Sequence, residues 1–181
     1  MKRTGFQRLL FRVGLLQYGI SGLLFMSCVI GFSQDPGSSV VIYLVRHAEK
    51  ADDGTKNPPL NMVGLQRAVR LNEMLRDIEF GAVYSTDFKR TIMTASPVAE
   101  QNHLKVKTYD PADYEKFLRD VLRSHQGQNI LITGHSNTIP QMANMLLGMN
   151  RVMDFREDEY DSLLIIIADK MGECKLLRLR Y

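Results

Sequence analysis

The chain has 181 residues, 45% of them hydrophobic and 24% charged, which supplies the core of one ordinary globular domain and leaves no room for a second. Its formal net charge is +3, but Lys2, Arg3, Arg8 and Arg12 all precede the first acidic residue, Asp35, so 19 basic residues face 20 acidic ones in the remainder. At about −1, that remainder has no basic excess to offer nucleic acid, and none is expected as a partner.

The first 33 residues read as a secretory signal: a basic start, an apolar stretch from Val13 to Phe32, and the small residues Gly31 and Ser33 where an export peptidase cuts. Cleavage after Ser33 is the reading adopted. The apolar stretch also approaches the roughly 20 residues that span a bilayer. An uncleaved membrane anchor is therefore one alternative, and lipid attachment at Cys28 another, with Phe25 standing where a smaller aliphatic residue is expected. Each version exports the body to a periplasm or an outer surface. Residues 34–39 form a polar linker and residues 40–181 the folded domain. Cys174 is the single thiol of that domain, which excludes an internal disulfide; a buried small residue is its simplest reading.

Val40 to Val45 is an unbroken apolar run rich in β-branched residues, which predicts a strand covered on both faces. It ends at Arg46-His47. After a polar loop with Gly54, Pro58 and Pro59, Asn61 is placed to cap a helix whose Leu65, Ala68, Val69 and Leu75 fall near helical spacing. Ala82 to Ser85 predicts a second strand, and Thr86 or Asp87 caps the next helix, with Arg90 in or near its first turn. Leu104 to Thr108 is a further strand, and Asp113 to His125 a helix bearing Phe117, Leu118, Val121 and Leu122. Ile130 to Thr133 is another buried strand, which stops at Gly134-His135. Ser136 or Asn137 starts a helix through Leu147, with Pro140 tolerated in its first turn. Met142, Met145 and Met149 sit at helical spacing as core. Leu163 to Ala168 and Lys175 to Tyr181 flank Asp169 to Glu173 as a hairpin that closes one side of the sheet, with Arg178 and Arg180 on its solvent face. This alternation predicts a three-layer α/β/α sandwich with a mostly parallel sheet. Ligands of such folds collect beyond the carboxyl ends of the strands.

His47 and His135 each follow a predicted buried strand directly, so both face one crevice, joined by Arg46 and by Arg90 at a helix start. Two permanent cations, two imidazoles and helix N-terminal N–H groups suit a phosphate dianion, because arginine's planar fork bonds two oxygens at once and keeps its charge. The flanking positive charge is expected to depress the imidazole pKa and keep His47 neutral, with a lone pair for attack. Attack at phosphorus gives a phosphohistidine that water hydrolyses, with no metal or other cofactor in the scheme. The sequence has no H-E-x-x-H and no cysteine pair, and two arginines repel a cation. Gly134-His135-Ser136-Asn137-Thr138 lacks the last glycine of a serine-hydrolase elbow, and no histidine follows it. His103 and His125 lack such partners and read as surface residues near helix ends.

Four blocks carry a resemblance: Arg46-His47-Ala48-Glu49-Lys50; Leu60-Asn61-Met62-Val63-Gly64; Ser85-Thr86-Asp87-Phe88-Lys89-Arg90-Thr91 with Thr94-Ala95; and Gly134-His135-Ser136-Asn137-Thr138. In order and spacing they resemble the motifs of the histidine phosphatase (phosphoglycerate-mutase-like) superfamily. The resemblance implies a phosphoglycerate mutase-like fold, His47 as nucleophile, Arg46 and Arg90 as phosphate ligands, and His135 in contact with the transferring group. The short body looks most like the small phosphohistidine phosphatases and exported lipopolysaccharide-phosphate phosphatases of bacteria. Phytase-like members place an Asp proton donor directly after the second histidine, where this chain has Ser136. Mutase-like members use a Glu after the second arginine; Glu115 lies near that spacing, with Asp110, Asp113 and Glu49 as competitors. Lys50 is either a phosphate-pocket residue or a solvated loop lysine, and Ser136 is a candidate for substrate binding. The expected activity is hydrolysis of phosphomonoesters or phosphohistidine, on a phosphorylated small molecule, glycolipid or phosphoprotein. A phosphomutase, and a phosphate-binding module without turnover, are the alternatives.

Overall fold

The computed structural model describes residues 39–181; the expected leader with Cys28, and linker residues 34–38, lie outside the described residues. In chain order the elements are β1 (Val40–Arg46), α1 (Met62–Met74), β2 (Phe80–Ser85), α2 (Lys89–Gln101), β3 (Val106–Thr108), a 3-10 turn (Pro111–Asp113), α3 (Tyr114–Ser124), β4 (Asn129–Gly134), α4 (Thr138–Leu147), β5 (Ser162–Lys170) and β6 (Glu173–Arg180). The six strands form one sheet in the order β3-β2-β4-β1-β5-β6. The first four in that order run parallel, and the β5–β6 hairpin adds antiparallel to β1 at one side, as expected.

Side-chain alternation along β1 builds the outer layers. Val40, Ile42 and Leu44 enter one core with Leu118 and Val121 of α3 and Ile139, Met142, Ala143 and Leu146 of α4. Tyr43 and Val45 enter the other, with Leu71 of α1, the adjoining Leu75, and Ala95, Val98 and Ala99 of α2. A strand covered on both faces has to be apolar throughout, which is why β1 and β4 were visible as continuous runs. Each fully buried Leu or Ile among them contributes roughly 1.5–3 kcal/mol.

Several local expectations are corrected. In α1 the buried line is Gly64, Ala68, Leu71 and then Leu75, while Leu65 and Val69 stand 38% and 51% exposed. The small pair Gly64 and Ala68 faces inward because the helix presses on the loop after β1: a Cβ at residue 64 would lie 2.2 Å from the Glu49 carbonyl oxygen. At the start of α2 neither Thr86 nor Asp87 caps; Phe88 holds the cap position, and the Lys89 N–H donates instead to Asn57 Oδ1 at 2.9 Å. Asn137, before α4, likewise makes no side-chain cap, and the Thr138 hydroxyl accepts from the His135 N–H. Gly148, left-handed at φ 67°, ends α4, so Met149 lies beyond the helix and is exposed rather than core. His125 is half-buried between the Tyr84 hydroxyl and the Gln128 amide, whereas His103 is exposed just past α2. Leu177 and Leu179 are exposed on β6, so solvent reaches both of its faces and not only that of Arg178 and Arg180. Among the described residues no helix is long and apolar enough to cross a membrane.

Candidate active site

Strands β1 and β4 are neighbours in parallel register, with Arg46 opposite Gly134. The residues that leave their carboxyl ends therefore emerge side by side. The His47 N–H donates to the Gly134 carbonyl at 2.9 Å, and the rings of His47 and His135 meet edge to face with centroids 5.5 Å apart. Arg90, in the first turn of α2, lays its guanidinium 4.5 Å over the Phe88 ring, whose edge contact with His135 is 5.1 Å between centroids. Arg46 lies 4.2 Å over the Tyr160 ring, which is 6.1 Å from that of His47. The four side chains singled out from the sequence thus share one site, each cation stacked on an aromatic ring that also flanks a histidine.

Arg46 is buried and donates from Nη1 to the carbonyls of Arg156 (2.7 Å), Glu157 (3.1 Å) and Glu159 (3.0 Å). Among the described residues its Nε has no partner, and neither does the buried Nε of Arg90. A buried donor without an acceptor costs about 1–3 kcal/mol, and more when the group is charged. An oxyanion held between the two guanidinium edges would satisfy both.

The Nδ1 of His47 lies 2.8 Å from the Ala48 carbonyl, which only accepts; the proton is therefore on Nδ1 and the lone pair on Nε2. The Ala48 N–H donates to the Thr94 hydroxyl, which donates to the Arg90 carbonyl, so the loop that carries His47 is fastened to α2. Burial is the main cause of a His47 pKa lowered to about 3; the Ala48 hydrogen bond opposes it, while Arg90, Arg46 and His135 add to it. Burial, then Arg90 and Arg46, lower His135 to about 4. Desolvation thus leads, where the sequence pointed to flanking charge alone.

The remaining candidates are engaged elsewhere. Glu115 on α3 is exposed and pairs with Arg119 one turn on. Asp110 caps the 3-10 turn through the Ala112 N–H, and Asp113 is exposed at the N-cap of α3. Glu49 takes a bidentate pair from Arg67; burial pushes its carboxyl up, but that pairing outweighs burial and holds it below the usual range. Lys50 is exposed, its backbone in an isolated bridge with Leu60. Ser136 is half-buried, and its carbonyl accepts from the Phe155 N–H. Phe88, Tyr160, Thr86 and Thr91 were missed as site residues. Thr86 and Thr91 stand inside a motif block, but Tyr160 lies in a loop with no periodicity to mark it. Among the described residues no group of three or more His, Cys, Asp or Glu is arranged to hold a metal ion.

A family model described as the histidine phosphatase superfamily (branch 1) matches residues 42–111. No curated protein matches the chain. Among solved structures, a candidate alpha-ribazole-5′-P phosphatase from Escherichia coli superposes with a TM-score of 0.63 at 19% identity, covering 79% of this chain and 97% of that one. The protein histidine phosphatase SixA, in complex with tungstate, gives 0.63 at 16%, covering 77% and 96%. A phosphoglycerate mutase from Bacillus anthracis gives 0.61 at 18%, covering 79% and 93%. Likeness at these identities establishes the fold.

Proposed function

We propose that this chain, whose residues 42–111 match the histidine phosphatase superfamily model, is a metal-independent phosphatase of that superfamily, acting on phosphomonoesters or phosphohistidine through a covalent intermediate on His47. The observation that carries this reading is the pair of unpartnered Nε donors on Arg46 and Arg90, buried beside two imidazoles whose centroids are 5.5 Å apart. Tungstate, which is bound in the similarly folded SixA, is an oxyanion of the kind such a cradle would take.

The Nε2 lone pair of His47 attacks phosphorus, and the bond from phosphorus to the leaving oxygen or nitrogen breaks with its electron pair. Charge on the equatorial oxygens of this loose transition state is met by both guanidinium groups and by His135. Water then attacks the phosphohistidine, inorganic phosphate departs, and the P–N electron pair returns to Nε2. A general acid contributes roughly 10²–10⁴-fold. With Glu115 and Glu49 in ion pairs and Asp110 at a cap, the site favours a leaving group that needs little protonation, as in phosphohistidine. In this reading the leader composition exports the enzyme, and its substrates are phosphorylated small molecules, glycolipids or phosphoproteins met outside the cytoplasm.

The test incubates full-length protein with sugar phosphates, a phosphorylated glycolipid and a phosphohistidine peptide, with and without chelator, and measures free phosphate and isomerised product. Phosphate release is expected to persist with chelator and to vanish in His47→Ala. Full activity in that variant, or isomerised product alone, sinks the reading.

A further inference from the structure

Thr86 and Thr91 are fully buried polar residues beside the site. The Thr86 hydroxyl lies 3.1 Å from Nε2 of His135 and 2.9 Å from the Thr91 hydroxyl. The Thr91 hydroxyl in turn lies 3.0 Å from the Thr86 carbonyl and 2.9 Å from that of Phe88. This row starts on an imidazole and ends on carbonyls, which only accept, while each hydroxyl has one proton and two lone pairs. Two proton arrangements fit it. In the first, Thr91 donates to Thr86 and Thr86 donates to Nε2, so a neutral His135 keeps its proton on Nδ1. In the second, both of these bonds reverse and the Thr91 proton turns to a carbonyl: Nε2–H donates to Thr86, Thr86 to Thr91, and Thr91 to the Thr86 or Phe88 carbonyl, which accommodates a cationic His135 protonated at both nitrogens.

Since Nε2 is engaged, Nδ1 is the nitrogen left to meet a ligand, and in both arrangements it carries a proton. A neutral ring protonated only on Nε2 would turn a lone pair toward phosphoryl oxygens and is disfavoured once an oxyanion is bound. The groups that face His135 are the cations Arg90 and Arg46, the His47 imidazole and the Phe88 ring edge. Of these only His47 carries an acceptor, its Nε2, and the phosphatase reading commits that lone pair to phosphorus, which leaves Thr86 as the partner of His135 Nε2.

We propose that Thr86, backed by Thr91, is a positioning residue: a reversible two-hydroxyl relay that keeps an Nδ1–H of His135 aimed at the transferring phosphoryl group whether the imidazole is neutral or cationic. Its consequence for rate rests on the phosphatase reading, whereas its proton geometry does not.

The experiment compares Thr86→Val, which keeps the shape and removes the hydroxyl, with Thr86→Ser, which keeps the hydroxyl, and with Thr91→Val as a second break in the row. The ring 15N shifts of His135 are recorded free and with tungstate, alongside the pH profiles of kcat and KM. In the wild type with tungstate, His135 is expected to carry a proton on Nδ1. Thr86→Val should lose about tenfold in kcat, the worth of one ordinary hydrogen bond, with KM nearly unchanged and the acid limb of the profile displaced. Thr86→Ser should retain most of the activity, and Thr91→Val should fall between them. Three results overturn the relay: an unprotonated Nδ1 in the tungstate-bound wild type, a Thr86→Val enzyme with wild-type shifts and kcat, or a Thr86→Ser enzyme as impaired as Thr86→Val. Should the wild type release no phosphate while its His135 shifts behave as expected, the phosphatase reading fails and the relay stands.

Discussion

Each site imidazole has one nitrogen already committed, Nδ1 of His47 to the Ala48 carbonyl and Nε2 of His135 to the Thr86 hydroxyl, so opposite ring positions serve the crevice. Both rings are also hard to charge, with pKa values lowered to about 3 and about 4 from 6.5, chiefly by burial. The sign of the linkage follows. Below pH 6.5 an unfolded chain takes up protons that the folded chain refuses, so the stability held by neutral histidines is complete above 6.5 and drains away as pH falls toward 4 and then 3. Urea midpoints of the ligand-free protein are expected to drop between pH 7 and pH 4.5, and the drop should shrink in a His47→Asn/His135→Asn double variant. An equal slope in both proteins would show that these imidazoles do not govern the acid sensitivity.

The central strands were legible because their surroundings leave little choice: β1 and β4 are covered on both faces, so Val40–Val45 and Ile130–Ile132 run apolar without a break. Helix faces were less legible. Leu65 and Val69 fit a helical period as well as Gly64 and Leu71 do, and only the approach of α1 to the Glu49 backbone selects the smaller residues. The α2 cap was unreadable for a different reason, since its acceptor, Asn57, is 32 residues from Lys89 and arrives through tertiary structure. In the site, histidines and arginines were visible because their chemistry restricts residue type, whereas the Phe88 and Tyr160 rings work by position and could pass for core. Gly64 joins element to site. Its replacement by Ala sets a methyl against backbone that cannot give way locally, displacing either α1 or the loop that carries His47. Gly64→Ala is expected to cost about 1–3 kcal/mol, as overpacking does, seen as a lowered urea midpoint together with reduced kcat. A variant of wild-type stability would mean that the loop yields freely.

Across the domain, Arg46 acts at two places at once. Through Nη1 it ties the end of β1 to the carbonyls of residues 156, 157 and 159, and its Nε is left unpaired inside the same site. Arg90 leaves a second unpaired Nε, held by α2. An oxyanion between them would therefore cross-link β1, the loop of residues 156–159 that Arg46 holds, and α2. Ligands that bind only the folded state stabilise it by about 2.7 kcal/mol at a hundredfold excess over Kd, which for a domain of this size is roughly 5–10 °C in Tm. Tungstate, vanadate or inorganic phosphate should raise the melting temperature by that order, and chloride at equal ionic strength should not. Arg90→Lys tests the geometry, because lysine keeps the charge and loses the planar fork. If the cradle works through paired donors, the shift in this variant shrinks well below that of the wild type; a shift of wild-type size would mean that net charge alone draws the anion and that the unpaired Nε atoms are incidental.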